Sequence, residues 1–488
     1  MSRMKISDFW LYRWRYPLGL MLISSILTVL LVTAVLYIPG GISAQEMAAV
    51  EKTAGIDYTK LFSMNSGEML NLPYHLTQQV SIANLGVSVF SIKLPSLIGA
   101  VLSVLAIYGF LRLWFRRNVA ISTTVIVVVS ALFLYSTQLG IPMIAYIAYP
   151  AMLLLFSAML SHSKKMRPFW FLSATVIAGA SLYTPLQIYG IVALISTAFI
   201  HPHARFVVMR LPKWSIAIGL AAFSAIVAPL VMSIVKDPAG ALPYLGFSSP
   251  IGLPDINHLK EIAGQLTGLS PAFGLDILSP VYGYGLLLLA AVGVYRLFTA
   301  KYTAKSYILT IWLALTAVPF LFSKDVLVYS FVPIVALAAF GIDHLFRSWY
   351  QLFPVNPYAR VGGLLPLGAV VLGLIVAGMV QFTYGFHYSS QVNDVFSSDI
   401  KILSEELQKH DKVSLVTSSE SKGFYDIFAK NNGLDSVSVT TGWPQTESGT
   451  VIVSQKVVKS INRKPNYIVV DSGSNAADRF YVYTSEEK

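Results

Sequence analysis

Apolar runs of bilayer-crossing length recur along this chain from about residue 17 to residue 384, and they leave it few ways to fold. A helix needs about 20 mostly apolar residues to cross the hydrocarbon of a membrane. Eleven stretches meet that description, at approximately 17–38, 92–114, 119–137, 141–160, 168–184, 186–201, 214–235, 279–298, 306–322, 326–346 and 362–384. The fifth and sixth form one long apolar run, which Tyr183-Thr184-Pro185 is expected to turn into two short helices. Only 12% of residues are charged, against roughly 25% in soluble domains. The sequence therefore predicts an all-α polytopic membrane protein with about eleven transmembrane helices.

The basic residues orient these spans. Arg3, Lys5, Arg13 and Arg15 precede the first run, and Arg112, Arg116, Arg117, Lys164, Lys165, Arg167, Arg205, Arg210, Lys213, Arg296, Lys301, Lys305, Arg347 and Arg360 fall in alternate connections. The other connections before residue 385 carry few: Lys52, Lys60, Lys93, Lys236, Lys260 and Lys324. Loops rich in Lys and Arg stay in the cytoplasm. The N-terminus is thus expected inside and the C-terminus outside. The same asymmetry absorbs much of the net charge of +11, so a nucleic-acid partner is not indicated. The first run is longer than a typical signal-peptide core and no small-x-small site follows it, so it is read as a span. With no cysteine in the chain, disulfides, thiolate nucleophiles and cysteine-zinc sites are excluded.

Two domains are expected: a transmembrane domain over 1–384, with outer loops at 40–91 and 236–278, and a soluble extracytoplasmic domain over 385–488. In the latter, β-like runs at Val413–Val416, Val451–Val453, Tyr467–Val470 and Phe480–Tyr483 alternate with helical ones at Asp399–Lys409 and Lys422–Lys430, as in a small α/β domain.

The middles of the spans are nearly free of ionisable residues. Such residues mark ion pathways and proton relays, so an ion-coupled transporter is disfavoured and chemistry is pushed to the outer rim. There the first outer loop is richest, with Glu46, Glu51, Asp57, Glu68 and His75. Its opening segment, GISAQEMAAV (41–50), sets Met47, Val50 and Ala54 at helical spacing and Glu46 on another side, as in an amphipathic helix lying on the surface. Asp57 and Glu68 read as solvated loop charges, and Lys324 beside Asp325 as a local ion pair or a phosphate contact. His201-Pro202-His203 lacks further metal ligands, and Gly283-Tyr284-Gly285 reads as a packing feature.

Five segments carry a resemblance to a known family: SAQEMAAV (43–50), NLPYHL (71–76), LGVSVFSIKLPSLIGAVLSVLAIYGFLRLWF (85–115), YSTQLGIPMIAYIAYPAMLLLFSAML (135–160) and LVYSFVPIVALAAFGID (327–343). In this order they resemble the GT-C glycosyltransferases, in the branch of the dolichyl-phosphate-mannose–protein mannosyltransferases and bacterial aminoarabinose transferases. The resemblance implies that a sugar passes from a polyprenyl-phosphate donor to an extracytoplasmic acceptor (lipid, glycan or protein) with inversion. It also implies that a carboxylate of the first loop is the general base and that a cation holds the leaving phosphate. Carried onto this sequence, it makes Glu46 the base, and Lys93, His75, Tyr74, Asn71, Gln45 and Lys324 the substrate-binding set. The donor lipid is a substrate, so no cofactor is implied, and the need for a divalent metal stays open. The implied partners are membrane lipids, the polyprenyl-phosphate sugar and the acceptor, and the implied location is a multi-pass position in a bacterial plasma membrane. Three positions depart from the family pattern. Gln45 stands where the family's first acid is expected, Gln138-Leu139-Gly140-Ile141-Pro142 has neither Arg nor acid, and Lys93 replaces an Arg. Two rival readings follow: a non-catalytic GT-C-like scaffold that binds polyprenyl lipids, which Gln45 favours, and a lipid-linked-sugar flippase or polymerase, which Arg-rich spans would favour and this chain lacks.

Overall fold

A computed structural model of the chain describes residues 10–36, 41–247, 256–268, 281–299, 302–353, 362, 364–382, 395–397, 399–434, 436–444, 449–470 and 479–484. Parts of the first apolar run and of the loop 236–278 lie outside the described residues. Each of the eleven runs falls on helix, but the count of eleven spans is not met by helix length. Among the described residues five helices are long and apolar enough to cross a membrane: Val89–Trp114, Pro142–His162, Lys213–Lys236, Ala304–Leu321 and Phe331–Leu352. Two bent pairs bring the total to seven. Arg117–Val128 turns by 57° into Ala131–Gln138, and Gln187–Ile200 by 92° into Pro202–Met209. Shortness accounts for part of the difference. Helix Arg167–Ser181 has 15 residues and is about 22 Å long at 1.5 Å per residue, below the ~30 Å of hydrocarbon.

The turn expected at Tyr183-Thr184-Pro185 separates Arg167–Ser181 from Gln187–Ile200. It is held from two other loops: the Asn71 amide donates to the Tyr183 carbonyl at 2.8 Å, and the Leu186 amide to the Tyr244 carbonyl at 2.8 Å. Leu186 itself adopts φ +67°, a left-handed backbone that an L residue keeps only where its surroundings impose it. Helices Tyr284–Thr299 and Phe331–Leu352 lie backbone to backbone. A Cβ on Gly293 would come within 1.8 Å of the Leu337 carbonyl oxygen, the close approach that small residues allow between apolar helices.

The C-terminal residues form a five-stranded sheet of order β4-β3-β5-β7-β6, with β3 Val413–Val416, β4 Val437–Thr440, β5 Thr450–Ser454, β6 Tyr467–Val470 and β7 Arg479–Thr484. β3 runs parallel to β4 and β5, and β7 antiparallel to β5 and β6. The sequence reading missed β4, whose V-S-V-T run alternates too briefly to stand out from the turns around it. Two further strands tie this sheet to the first outer loop. β1 Ile42–Ser43 pairs antiparallel with β2 Phe396–Ser397. The side-chain amide of Asn432 donates to the Val87 carbonyl at 3.1 Å, while its oxygen accepts from the Val87 amide at 2.7 Å. Ile42, Met47, Val50, Ile82 and Ile92 share one core with Leu403, Phe424, Ile452 and Phe480. The helix starting at Ala44 therefore does not lie on an open surface. Its apolar stripe is roofed by the C-terminal helix Ser419–Asn431.

Candidate active site

Ser43 starts helix Ala44–Ala54 with a capping box. Its hydroxyl accepts from the Glu46 amide, and the Glu46 side chain accepts from the Ser43 amide. Such a box satisfies two of the helix's free amide donors. Here the carboxylate does more. Oε2 accepts from the Ser43 amide at 2.7 Å and from its hydroxyl at 3.0 Å, and Oε1 accepts from the Gly140 amide at 2.6 Å. The Lys93 ammonium lies 3.8 Å from Oε1, donates to the Gly41 carbonyl at 2.9 Å and sits 5.5 Å from the centre of the Phe396 ring. Glu46 is 0% exposed and Lys93 1%. The sequence reading took Glu46 as a rim carboxylate and Lys93 as an interfacial cation. In the structure they are a closed pair, joining the first loop, the turn at Gly140, the second apolar helix and the C-terminal domain.

Gln45, one residue earlier, faces the other way. It lines a cavity of about 490 Å³ together with Asn71, Tyr135, Tyr146, Glu261, Gln265, Lys324 and Asp325, over an apolar floor that includes Leu139, Ile141, Met143, Leu327 and Val328. The Lys324 ammonium bonds the Glu261 carboxylate, and not its neighbour Asp325 as the sequence suggested. The Tyr146 hydroxyl donates to Asp325 Oδ2 at 3.3 Å. Asp325 is open to the cavity yet ringed by protein, and this desolvation raises its carboxyl above the ordinary aspartate range. Asn71 adopts φ +59°. Its side-chain oxygen is buried without a hydrogen-bond partner among the described residues.

The structure thus brings together three of the seven residues named from the sequence: Gln45, Asn71 and Lys324. His75 and Tyr74 lie behind the wall. The Tyr74 hydroxyl bonds Ser96 at 2.8 Å, and burial raises its pKa. His75 Nδ1 bonds the Thr53 hydroxyl at 2.9 Å. Burial, helped by the charge of Lys52, pushes its pKa down to about 4, so the ring is neutral. Asp57 caps the turn at Tyr58–Ser63, and Glu68 accepts from the Asn65 amide. Sequence reasoning missed Glu261, Gln265, Tyr135 and Tyr146. The first two sit on a helix, Ile256–Thr267, inside a Pro/Gly-rich loop, and the tyrosines sit in apolar runs where they read as packing. No group of three or more His, Cys, Asp or Glu side chains that could hold a metal ion is present among the described residues.

Residues 73–228 match the dolichyl-phosphate-mannose-protein mannosyltransferase family. No curated protein sequence matches the chain. Among solved structures, the chain is similar to ArnT from Cupriavidus metallidurans bound to undecaprenyl phosphate, with TM-score 0.52 at 13% identity over 96% of this chain and 98% of that one. The apo state of the same protein gives TM-score 0.53 at 14% identity over 95% and 97%. The Archaeoglobus fulgidus oligosaccharyltransferase tethered to an acceptor peptide gives TM-score 0.50 at 10% identity over 86% of this chain and 64% of that one. This chain therefore carries a segment, residues 73–228, that matches the mannosyltransferase family, and it shares its fold from end to end with the membrane protein ArnT.

Proposed function

We propose that the protein is a membrane glycosyltransferase that moves a sugar from a polyprenyl-phosphate donor to an acceptor, with inversion, in the cavity lined by Gln45, Asn71 and Lys324. The observation that carries this reading is the cavity itself: a cation and hydrogen-bonding groups at one end of apolar helices, over an apolar floor. A lipid-linked sugar has the same division, with an anionic phosphate and a polyhydroxylated head on a hydrocarbon tail. The fold shared with ArnT, whose structure holds undecaprenyl phosphate, supports that donor class.

Lys324 is the phosphate contact in this reading. Its pairing with Glu261 is half exposed on both sides, and exposed ion pairs contribute about 0–1 kcal/mol, so a phosphate displaces the carboxylate at little cost. Gln45 and Asn71 hydrogen-bond the sugar. Glu46 and Lys93 fix the position of helix Ala44–Ala54, and so of Gln45, without touching substrate. In this reading the acceptor approaches from the face that carries the C-terminal sheet, on the extracytoplasmic side of a bacterial plasma membrane, and the Lys/Arg asymmetry supports that orientation.

The test is transfer by the purified full chain in proteoliposomes, with a panel of polyprenyl-phosphate sugars and water-soluble or lipid acceptors. One donor is expected to be consumed, with Lys324→Ala raising its KM more than Lys324→Arg. Undecaprenyl phosphate binding without transfer from any donor would make the protein a lipid-binding scaffold, the reading that the glutamine at position 45 favours.

A further inference from the structure

We propose that Asp325 is the general base of the transfer, reached from the turn between helices Ala304–Leu321 and Phe331–Leu352 and not from the first outer loop. The inference rests on the transferase reading above and adds the residue that activates the acceptor.

An acceptor hydroxyl needs a group that can take its proton within hydrogen-bond reach. Gln45 faces the cavity but is a carboxamide, with no useful proton affinity near neutral pH. Glu46 has the proton affinity and no access: it is enclosed, and both oxygens are engaged by Ser43 and Gly140. His75 is neutral, but it lies behind the wall against Thr53. Among the described residues lining the cavity, two carboxylates remain, Glu261 and Asp325. Glu261 is bonded to Lys324, which occupies it until a donor phosphate takes the ammonium away. Asp325 is open to the cavity and accepts from the Tyr146 hydroxyl through Oδ2. That bond orients the carboxylate and leaves the second oxygen for an acceptor.

The titratable groups that line the cavity with Asp325 are Tyr146 from helix Ala145–His162, which bonds it, Lys324 from its own turn, Glu261 from helix Ile256–Thr267 and Tyr135 from helix Ala131–Gln138. Desolvation of the carboxyl raises its pKa, which strengthens it as a base. The step balances within the site. Asp325 takes the acceptor's proton, and the acceptor oxygen bonds to the anomeric carbon from the face opposite the phosphate. The bond from that carbon to the phosphate oxygen breaks, and its electron pair leaves on the polyprenyl phosphate beside Lys324. The proton then passes from Asp325 to water.

The experiment uses the full chain, with whichever polyprenyl-phosphate sugar the panel above identifies. Undecaprenyl phosphate binding and the pH profile of kcat are followed together. Asp325→Asn is expected to lower kcat about 10²–10⁴-fold with undecaprenyl phosphate affinity unchanged, and Asp325→Glu to regain part of the rate. Tyr146→Phe removes a hydrogen bond that favours the ionised form, so it is expected to move the acidic limb of the profile to higher pH. Wild-type turnover by Asp325→Asn, or an acidic limb that neither variant moves, would overturn the assignment while leaving the transferase reading intact. Absence of transfer by the wild-type chain with every donor would overturn both.

Discussion

Replacing Glu46 by Gln separates a keystone from a catalyst. Gln has the shape of Glu, but one of its terminal atoms is an amide nitrogen. That atom must face either the Ser43 amide and hydroxyl or the Gly140 amide, so a donor meets a donor. An unsatisfied buried donor costs about 1–3 kcal/mol. Lys93 loses its counter-charge at the same time, and removing one partner of a buried ion pair costs about 3–5 kcal/mol. The lower end applies here, because Lys93 keeps the Gly41 carbonyl and the Phe396 ring. Since the two costs overlap, the expected destabilisation is about 3–5 kcal/mol, a large part of the 5–15 kcal/mol that holds a typical domain folded. Thermal unfolding of the detergent-purified chain, followed by tryptophan fluorescence, measures it. Adding Lys93→Met removes the stranded ammonium and is expected to recover about 1–3 kcal/mol. The reasoning fails if Glu46→Gln unfolds with the wild type, or if the double variant is no more stable than the single one. A variant that kept full stability and lost turnover would return the general base to Glu46.

Two further outcomes follow from the same region. His75 has a folded pKa near 4 against about 6.5 when unfolded, so between those values the unfolded chain binds the extra proton; stability is expected to be full above about pH 6.5 and to fall as pH drops toward 4, with His75→Gln flattening that slope in pH-dependent thermal unfolding. Asn432→Ala strands both polar groups of Val87 and is expected to cost about 1–3 kcal/mol, read as earlier proteolysis of the C-terminal domain; wild-type resistance would mean that this contact does not hold the domain in place.

Helices were legible wherever the physics was local. Length, hydropathy and the Tyr183-Thr184-Pro185 break located the five helices long enough to cross a membrane among the described residues, and β-branched runs located four of the five strands of the C-terminal sheet. The number of membrane crossings was not legible in the same way, because hydropathy does not report the 57° and 92° bends. The site was half legible. Gln45, Asn71 and Lys324 were named from the sequence and line one cavity. Glu46 and Lys93 were named for the right neighbourhood and the wrong environment. Adjacent positions on a helix point about 100° apart, so Gln45 and Glu46 cannot both face the cavity. Which of the two does is decided by the roof of C-terminal residues, some 350 positions away in the chain. Glu261 and Asp325 meet only through tertiary packing, which no spacing in the sequence encodes.

That roof also sets a clock. Ser43 pairs with Phe396, so the last partner of the Glu46–Lys93 pair leaves the ribosome 353 residues after the first strand residue it covers. At roughly 5–20 residues per second this is a delay of about 20–70 s. During it the two charges keep their water, and the helix bearing Gln45 has no fixed register against the cavity. An incomplete chain therefore lacks the cover that turns Glu46 inward and Gln45 toward the cavity, and this arrangement is completed only when synthesis is nearly over.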